Sequence, residues 1–263
     1  MKIHIIITNR VLKVSGGIVK ALSYPFHFFF PKKRFTIPPY SPPLIKSKKK
    51  SLIPKIIWQT NYTNKVTLPV YINYLIIRLF SPTFEYRYLG TEARDEFMKN
   101  NAPKKLYEAF SLLNDGAAQA DVWRLFVLDK IGGVYLDIDA HFVWFAEKII
   151  ENKAEVFIRA KKGHINNYFI ASKPNNDIIQ KALEIIVKNI EERKIEGGVY
   201  HLTGPTALNK AIAKVKRAIN DRYYKITAIQ GSFTNEYFQY IDKKGLKWNK
   251  IKNEELLKTK KTT

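Results

Sequence analysis

The stretch from Asp121 to Asp139 constrains the fold of this chain more than any other part of the sequence. A helical pattern ends at Gly132-Gly133, a short apolar run follows at 134–138, and two aspartates stand two positions apart, Asp137 and Asp139. A glycine pair ends a helix well because glycine adopts left-handed backbone conformations without strain. The pattern therefore predicts a helix followed at once by a buried strand, with both acids where that strand ends.

The spacing of the two aspartates predicts that they act together. Residues at i and i+2 of a strand point the same way, so Asp137 and Asp139 are expected to aim both carboxylates at one point beyond the sheet edge. Mg²⁺ and Mn²⁺ prefer oxygen ligands and often take only one or two from protein, with water and substrate phosphate supplying the rest. The pattern indicates a metal–diphosphate site in an enzyme that acts on a nucleotide-activated substrate. A pair of solvated turn aspartates is the alternative.

Helical and strand patterns alternate along the chain, which is typical of α/β layering. In open α/β sheets, ligands bind at the carboxyl ends of strands, where the two aspartates are expected. Strands are predicted at 53–59, 84–89, 134–138, 155–159, 168–172 and 223–229, and helices at 91–98, 103–113, 116–131, 176–193 and 206–215.

Further cleft residues are expected on the elements around this strand. Asp121 and Arg124 share one helix face, where the acid can accept hydrogen bonds from sugar hydroxyls and the arginine can pair with phosphate. A surface ion pair is the alternative. Asn167 precedes an apolar strand and is expected to face the cleft, unless it only forms a turn. Gly204 opens a helix and allows backbone to approach a ligand, although simple helix punctuation explains it equally well.

Trp58 and Gln59 end the first predicted strand. An aromatic ring at a strand end can stack on a base while a polar neighbour fixes the orientation of the ligand. A core position is the alternative for the tryptophan, as it is for most apolar aromatics.

Composition divides the 263 residues into three parts. Residues 1–51 carry a Pro-Pro-Tyr-Ser-Pro-Pro linker and lysine runs, 52–250 are predicted to form the catalytic domain, and 251–263 form a basic tail. The net charge of +22 calls for an anionic partner. Aromatic residues within 24–30, followed by Lys and Arg, suit an anionic bilayer interface, and packing of this segment on the body of the protein is the alternative. We therefore expect a peripheral position on the cytoplasmic face of a membrane, with the absence of cysteine fitting a reducing compartment.

Two other classes of protein remain open from the residues alone. A haloacid dehalogenase-type phosphatase also places Asp-x-Asp after a strand, but His141 stands two residues after the second acid, where that family has Thr or Val. A nucleic-acid-binding protein would explain the charge, but the basic runs are terminal and no recognition motif occurs. We expect no nucleic-acid partner.

Four sequence blocks between residues 52 and 215 match a known family. They are 53–59 (Ile-Pro-Lys-Ile-Ile-Trp-Gln), 120–139 (with Ala-Asp-Val-Trp-Arg and Gly-Gly-Val-Tyr-Leu-Asp-Ile-Asp), 167–174 (Asn to Pro) and 203–205 (Thr-Gly-Pro). In these blocks the chain resembles glycosyltransferase family 32 and the related capsular polysaccharide synthesis proteins, sugar transferases with an Asp-x-Asp sugar-binding region. The central block is also similar to the glucosylating domains of large clostridial toxins.

The resemblance implies a GT-A fold, which is a Rossmann-like mixed sheet flanked by helices, with a nucleotide-sugar donor and Mn²⁺ or Mg²⁺. It implies transfer to a saccharide or lipid-linked acceptor in surface polysaccharide or glycolipid synthesis, with retention of anomeric configuration. A metal ligand that relatives supply near the C-terminus is not identifiable in this sequence.

The resemblance also assigns roles to residues. By its pattern, Asp139 binds the metal directly, and Asp137 binds the ribose or sugar and reaches the metal through water. Asp121 and Arg124 hold the donor sugar, supported by Tyr135. Trp58 stacks near the base.

Overall fold

A mixed β-sheet forms the centre of the molecule and carries the Asp-x-Asp segment. The computed structural model describes residues 3–243 and 252–258. The strands are β1 Phe35–Thr36, β2 Tyr40–Ser41, β3 Ile56–Thr60, β4 Lys65–Val66, β5 Glu85–Leu89, β6 Gly133–Leu136, β7 Ala140–Phe142, β8 Glu155–Arg159, β9 Ile165–Ser172, β10 Asp221–Tyr223 and β11 Ala228–Gln230. Seven of them form one sheet in the order β10-β8-β9-β6-β3-β5-β2.

Helices cover both faces of this sheet. They are α1 Ile3–Phe29, α2 Leu68–Phe80, α3 Thr91–Asn101, α4 Lys104–Leu112, α5 Gly116–Lys130, α6 Ala146–Ile150, α7 Asp177–Glu191, α8 Gly198–Leu202, α9 Pro205–Lys214 and α10 Glu236–Tyr240. One apolar core packs α4, α5, α7 and α9 against one side of the sheet, and a second core packs α2 and α6 against the other. The predicted α/β class is confirmed.

The centre of the sheet explains the local sequence. β3 pairs in parallel with both β5 and β6, and β6 pairs antiparallel with β9. Helices cover both faces of the sheet at these strands. All four residues of β6 are therefore buried, and the strand has apolar side chains on both faces. Three parallel strands, β5, β3 and β6, therefore end at one edge of the sheet, and the Asp-x-Asp segment follows the last of them.

The Gly-Gly break joins α5 to β6 as the sequence predicts. Gly132 and Gly133 have φ of 79° and 115°, in the region that favours glycine. A Cβ on Gly133 would lie 2.8 Å from the carbonyl oxygen of Ile56 and 2.9 Å from the indole nitrogen of Trp58. Only glycine allows the chain to turn here while β6 approaches β3 this closely.

Several predicted boundaries differ from the structure. The strand predicted at 134–138 ends at Leu136, so both aspartates lie in the turn after it. The strand predicted at 223–229 is two short strands, β10 and β11, separated by a 3-10 turn at Tyr224–Ile226. β10 joins the main sheet, whereas β11 pairs with β7. The sequence predicts no element over α2. Apolar residues stand on almost every side of this helix, so they show no clear helical period in the sequence.

The linker expected before residue 52 is partly folded into the domain. β1 pairs with β4, β2 forms the edge strand beside β5, and Ile37 between them is fully buried. At the other end, Leu256 is buried and its carbonyl accepts a hydrogen bond from the backbone of Asn114. The proline-rich segment folds because an extended chain can occupy a sheet edge, where a strand needs partners on one side only. Of the predicted tail at 251–263, residues 251 and 259–263 lie outside the described residues.

Candidate active site

A cavity of about 530 Å³ opens at the carboxyl ends of the parallel strands β3, β5 and β6. Residues that follow each of these strands line it, together with the start of α5, the start of β9 and the 230–243 segment. Among the sequence-predicted site residues, the cavity brings together Asp121, Arg124, Tyr135, Asp137, Asp139, Asn167 and Gly204. The rule that ligands bind at the carboxyl ends of strands in open α/β sheets places a ligand here.

The two aspartates of the motif converge on one atom. The Gln230 side-chain nitrogen Nε2 donates to Asp137 Oδ2 at 3.0 Å and to Asp139 Oδ1 at 3.2 Å. A turn positions the acids, because the Ala140 backbone N–H donates to the carbonyl oxygen of Asp137 at 2.9 Å. The carboxylates therefore meet as the spacing predicts, although a turn brings them together and not the alternation of a strand.

Asp121 lies at the base of the cavity and is held by three donors. Its Oδ1 accepts from Asn167 Nδ2 at 2.9 Å and forms an ion pair with Arg124 Nη2 at 3.1 Å. Its Oδ2 accepts from the Thr203 hydroxyl at 2.9 Å. A carboxylate offers about four lone-pair sites, so one site on Oδ2 is left for a donor from the cavity. The residues come from α5, β9 and the loop before α9, so only the fold assembles this cluster.

Arg124 connects the two acidic groups of the site. Besides its ion pair with Asp121, its Nη1 lies 3.2 Å from Asp137 Oδ1 and donates to the carbonyl oxygen of Asn167 at 2.7 Å. The guanidinium carbon lies 4.4 Å from the ring centre of Tyr135, and the Tyr135 hydroxyl donates to Asp137 Oδ1 at 2.8 Å. Arg124 thus fixes Asp121 relative to Asp137.

The electrostatics of the cluster favour a bound cation. Burial raises the pKa of Asp121 to about 6, against the opposing effects of Arg124 and Thr203. Burial, together with the negative charge of Asp137, also raises the pKa of Asp139 to about 6, and hydrogen bonds from Gln230 and Gln239 only partly offset this. Burial alone would lower the pKa of Arg124, but the charges of Asp137, Tyr135 and Asp121 outweigh it and raise that pKa.

Trp58 is a core residue, contrary to the expectation that it stacks near a base. Its side chain is 2% exposed and does not line the cavity. One side packs edge-on against Trp123, Arg87 lies over the ring, and the indole N–H donates to the carbonyl oxygen of Gly132 at 2.9 Å. The close approach of Gly133 leaves no room for a base. Trp58 therefore occupies a core position, which was the alternative to base stacking.

Gln59 also lies beneath the cavity and not in its wall. It is fully buried, and its Nε2 donates to the carbonyl oxygens of Leu136 and Asp137 at 3.3 and 2.9 Å. Its Oε1 accepts from the Tyr86 hydroxyl at 2.7 Å. Gln59 therefore holds the backbone of the Asp-x-Asp turn and cannot touch a ligand in this arrangement.

Gly204 and Asn167 do line the cavity. A Cβ on Gly204 would lie 2.9 Å from the carbonyl oxygen of Tyr200, so packing alone requires glycine at this position. Asn167 acts on both members of the buried ion pair, since its amide donates to Asp121 and its carbonyl accepts from Arg124.

Several cavity residues had no signal in the sequence. Gln230 enters from the end of β11, and Gln239, Tyr240 and Lys243 enter from the segment after it, a part of the sequence with no motif. Arg94 enters from α3, where it is 2% exposed and donates to Gln119 Oε1 at 2.8 Å. A buried arginine in a surface-like helix of low hydrophobicity could not be recognised from spacing, because its burial depends on how α3 packs against α5.

The donor set at the turn fits a hard divalent cation. The two carboxylates of Asp137 and Asp139 supply oxygen atoms, the ligand type that Mg²⁺ and Mn²⁺ prefer, while Gln230 and Gln239 donate hydrogen bonds to these carboxylates. Among residues 3–243 and 252–258, no group of three or more His, Cys, Asp or Glu side chains could hold a metal. A cation here would therefore draw further ligands from water and from substrate phosphate.

Comparisons with known proteins agree with this geometry. Residues 69–155 match the family model of the glycosyltransferase sugar-binding region containing the DXD motif. The solved structure of the PaToxG glycosyltransferase is similar over 79% of each chain, with a TM-score of 0.52 and 20% identity. The UDP-bound glycosyltransferase domain of the YGT toxin aligns with a TM-score of 0.38 over 57% of this chain and 54% of its own, at 14% identity, an overlap too low to support a conclusion. No curated protein sequence matches the chain.

The matched region runs from α2 to the start of β8 and includes Asp121, Arg124 and both aspartates of the turn. The overlap with PaToxG establishes the fold, which confirms the expected GT-A architecture. The phosphatase alternative loses its basis, because the Asp-x-Asp motif now stands inside a matched sugar-binding region. The chain therefore shares its fold with the PaToxG glycosyltransferase, and its residues 69–155 are similar to a glycosyltransferase sugar-binding region of the Asp-x-Asp type.

Proposed function

We propose that this glycosyltransferase transfers a sugar from a nucleoside-diphosphate sugar to an acceptor hydroxyl with a divalent cation, Mn²⁺ or Mg²⁺, held by Asp137 and Asp139. One observation carries the proposal: both carboxylates reach the same nitrogen of Gln230 in the wall of the cavity. Burial, and after it the negative charge of Asp137, raises the pKa of Asp139, so the two carboxylates are costly to keep ionised together. A cation shared with a diphosphate would remove the repulsion between them.

The roles of the remaining residues follow from their contacts. When bound, the cation supplies Lewis-acid stabilisation of the charge on the departing diphosphate. Arg124 contributes a fixed positive charge and keeps Asp137 in place. Asp121 has one acceptor site left, which we assign to a hydroxyl of the donor sugar. Orienting the sugar in this way brings the anomeric carbon to the acceptor with little loss of entropy in the reacting step.

The acceptor and the stereochemistry are proposed on the resemblance alone. We propose a saccharide or lipid-linked acceptor at the cytoplasmic face of a membrane, and transfer with retention of configuration. Proton NMR of the first product formed tests the stereochemistry, because the coupling constant of the new anomeric proton distinguishes the two outcomes. A product of inverted configuration would remove retention but leave the metal-dependent transfer intact.

A thermal-shift screen of nucleotide sugars with and without Mn²⁺ tests the donor and the metal together. A ligand at about a hundred times its Kd stabilises the folded state by about 2.7 kcal/mol, which for a chain of this size raises Tm by roughly 5–10 °C. We expect such a shift for at least one nucleotide sugar, and only when Mn²⁺ or Mg²⁺ is present. A shift of equal size in EDTA would refute the metal role.

Asp139→Asn separates the metal role from folding. The substitution removes a carboxylate whose charge is costly to bury, so we expect Tm without ligand to be unchanged or higher. The metal-dependent shift and sugar transfer should be lost. Asp221→Asn is the matched control, because it removes the same charge from a pair with Arg159 that does not line the cavity. Transfer by Asp139→Asn at the rate of the control would sink the proposal.

A further inference from the structure

Helix α1 packs on the domain through four small or polar residues and two apolar ones, Ile5 and Leu12. The buried positions on it include Asn9, Gly16, Ser23 and His27. Asn9 Nδ2 donates to the carbonyl oxygen of Lys225 at 2.6 Å, and His27 Nε2 accepts from the backbone N–H at the start of α2 at 3.1 Å. At Gly16 a Cβ would lie 2.6 Å from the carbonyl oxygen of Ser232, so the helix lies directly against backbone. The inner face of α1 is therefore less apolar than its outer face.

The outward face of α1 is apolar along its whole length. We call the following residues, each at least 55% exposed, the outer stripe: Ile3, Ile7, Val11, Val14, Ile18, Leu22, Phe28 and Phe29. The first six recur every three or four positions, and the two phenylalanines stand at the end of the helix. With a rise of 1.5 Å per residue, the stripe is about 40 Å long. A surface helix of a globular protein normally turns its apolar face to the core. In α1 only Ile5 and Leu12 are buried in this way, and the eight apolar side chains of the outer stripe face away from the domain, so the outer stripe needs an apolar partner outside it.

The charges beside the outer stripe are all positive. Arg10 and Lys13 are exposed on α1, and Lys32 and Lys33 follow its end. Residues 1–84 contain fourteen Lys and Arg residues and no Asp or Glu. A second copy of this chain, with its net charge of +22, would be repelled. The partner therefore combines an apolar interior with an anionic surface, which is the chemistry of an anionic lipid bilayer.

We infer that the outer stripe of α1 is a lipid-binding surface on which the helix lies in the plane of an anionic membrane. Among residues 3–243 and 252–258, no helix is long and apolar enough to cross a bilayer. An in-plane helix with cations beside its apolar face instead inserts that face at the boundary of headgroups and acyl chains. The sequence pointed only to the aromatic residues of 24–30, whereas the structure extends the surface along the whole helix.

The inner face of α1 connects this surface to the active-site cavity. Lys20 Nζ donates to the carbonyl oxygen of Gly231 at 2.8 Å, and Asn235 Nδ2 donates to the Tyr24 hydroxyl at 3.0 Å. Gly231 lines the cavity next to Gln230. Because α1 supports this wall, a membrane-bound α1 holds the cavity at a fixed distance from the lipid surface.

Vesicle co-sedimentation of the purified full chain tests the inference. We expect binding to phosphatidylcholine vesicles that contain phosphatidylglycerol, and much weaker binding to pure phosphatidylcholine. The triple variant Ile7→Ser, Val14→Ser and Ile18→Ser keeps the net charge and should bind at least about a hundredfold more weakly, because three inserted aliphatic side chains are lost. These side chains are exposed, so the variant should keep the Tm and the far-UV circular dichroism of the parent.

A charge variant and its control test the electrostatic part separately. Arg10→Gln with Lys13→Gln should weaken binding to the anionic vesicles by roughly tenfold to thirtyfold, at about 1 kcal/mol per cation. Lys104→Ala with Lys210→Ala removes the same charge from α4 and α9 and should change binding by less than threefold, since a Debye length is about 8 Å in physiological salt.

Three results would overturn the inference. They are absence of binding to either vesicle, equal binding by the triple serine variant, and a dimer in sedimentation velocity that the triple variant converts to a monomer. The last would show that a second copy covers the outer stripe. None of these outcomes depends on sugar transfer, so the lipid surface and the proposed activity are tested independently.

Discussion

Replacing Thr203 with valine isolates one hydrogen bond to a buried carboxylate of the candidate site. The Thr203 hydroxyl donates to Asp121 Oδ2 at 2.9 Å, and the two side chains are 1% and 6% exposed. Valine keeps the shape and removes the donor. A hydrogen bond to a charged group contributes about 1.5–3 kcal/mol, whereas one between neutral groups contributes about 0.5–1.5 kcal/mol. We therefore expect a loss of stability whose size depends on whether Asp121 is ionised.

The pH dependence gives the sharper test. Burial raises the pKa of Asp121 in the folded protein from the usual aspartate value of 3.8 to about 6. Thr203 stabilises the ionised form, so Thr203→Val raises this pKa further. A carboxyl whose folded pKa is raised loses stability as pH rises through that pKa, because the folded state holds a proton that the unfolded state has released. The cost of the substitution should be about 1 kcal/mol at pH 5 and about 2–3 kcal/mol at pH 8.

Urea unfolding at the two pH values measures this difference, with ligand absent. Thr206→Val is the control, because Thr206 is the second residue of α9, is partly buried and makes no side-chain hydrogen bond to the described residues. We expect that control to cost less than about 0.5 kcal/mol at either pH. An equal cost of Thr203→Val at pH 5 and pH 8 would refute the argument that a charged Asp121 accepts this bond.

Three further substitutions test other parts of the structure. Gly133→Ala should destabilise the protein by about 3 kcal/mol in urea unfolding, because its φ is 115° and its Cβ would meet a backbone oxygen at 2.8 Å. Trp58→Phe should lower stability by about 1–2 kcal/mol through the lost indole hydrogen bond and volume, yet leave the KM for the donor unchanged, since the ring does not line the cavity. Arg217→Ala should cost about 2 kcal/mol at pH 7, because buried Glu155 loses two charge-assisted bonds from Arg217. Burial raises the pKa of Glu155, but Arg217 and Asn176 more than offset this effect, so the pKa lies below its usual value of 4.5. The stability that this pair contributes is therefore present above pH 4.5 and is lost as the pH falls below it.

Each of these has a control or a contrary result. Gly17→Ala on α1 is the control for the first, since a Cβ there meets nothing within 4 Å and alanine favours a helix, so stability should rise by about 0.5–1 kcal/mol. A tenfold rise in the KM of Trp58→Phe for the donor would show that Trp58 contacts the donor after all. For Arg217→Ala, a stability loss that persists unchanged at pH 3 would show that the arginine acts through packing and not through the charge of Glu155.

Much of the candidate site is local in the sequence, which is why it could be predicted. Asp121, Arg124, Asp137 and Asp139 lie within nineteen consecutive residues, on a helix, a glycine break and a strand that short-range rules identify. The convergence of the two acids followed from their spacing, although the turn that produces it did not. The α/β class followed from the alternation of elements, since each pattern reports its own local period.

Other features depended on contacts between residues far apart in the chain. Gln230 lies more than ninety positions from the acids it contacts, and no local pattern marks a glutamine for such a place. Trp58 and Gln59 stand at a strand end in sequence, but the approach of β6 to β3 encloses both.

The sequence by itself determined the helix, break, strand and acid pair of the centre, because backbone propensity and side-chain spacing act over a few residues. The tertiary structure alone decided which side chains reach the cavity and which face of α1 turns outward. Both depend on how whole elements pack. An apolar stripe reads the same in a sequence whether it meets a core or a membrane, and only the position of the domain behind α1 shows that its stripe faces away.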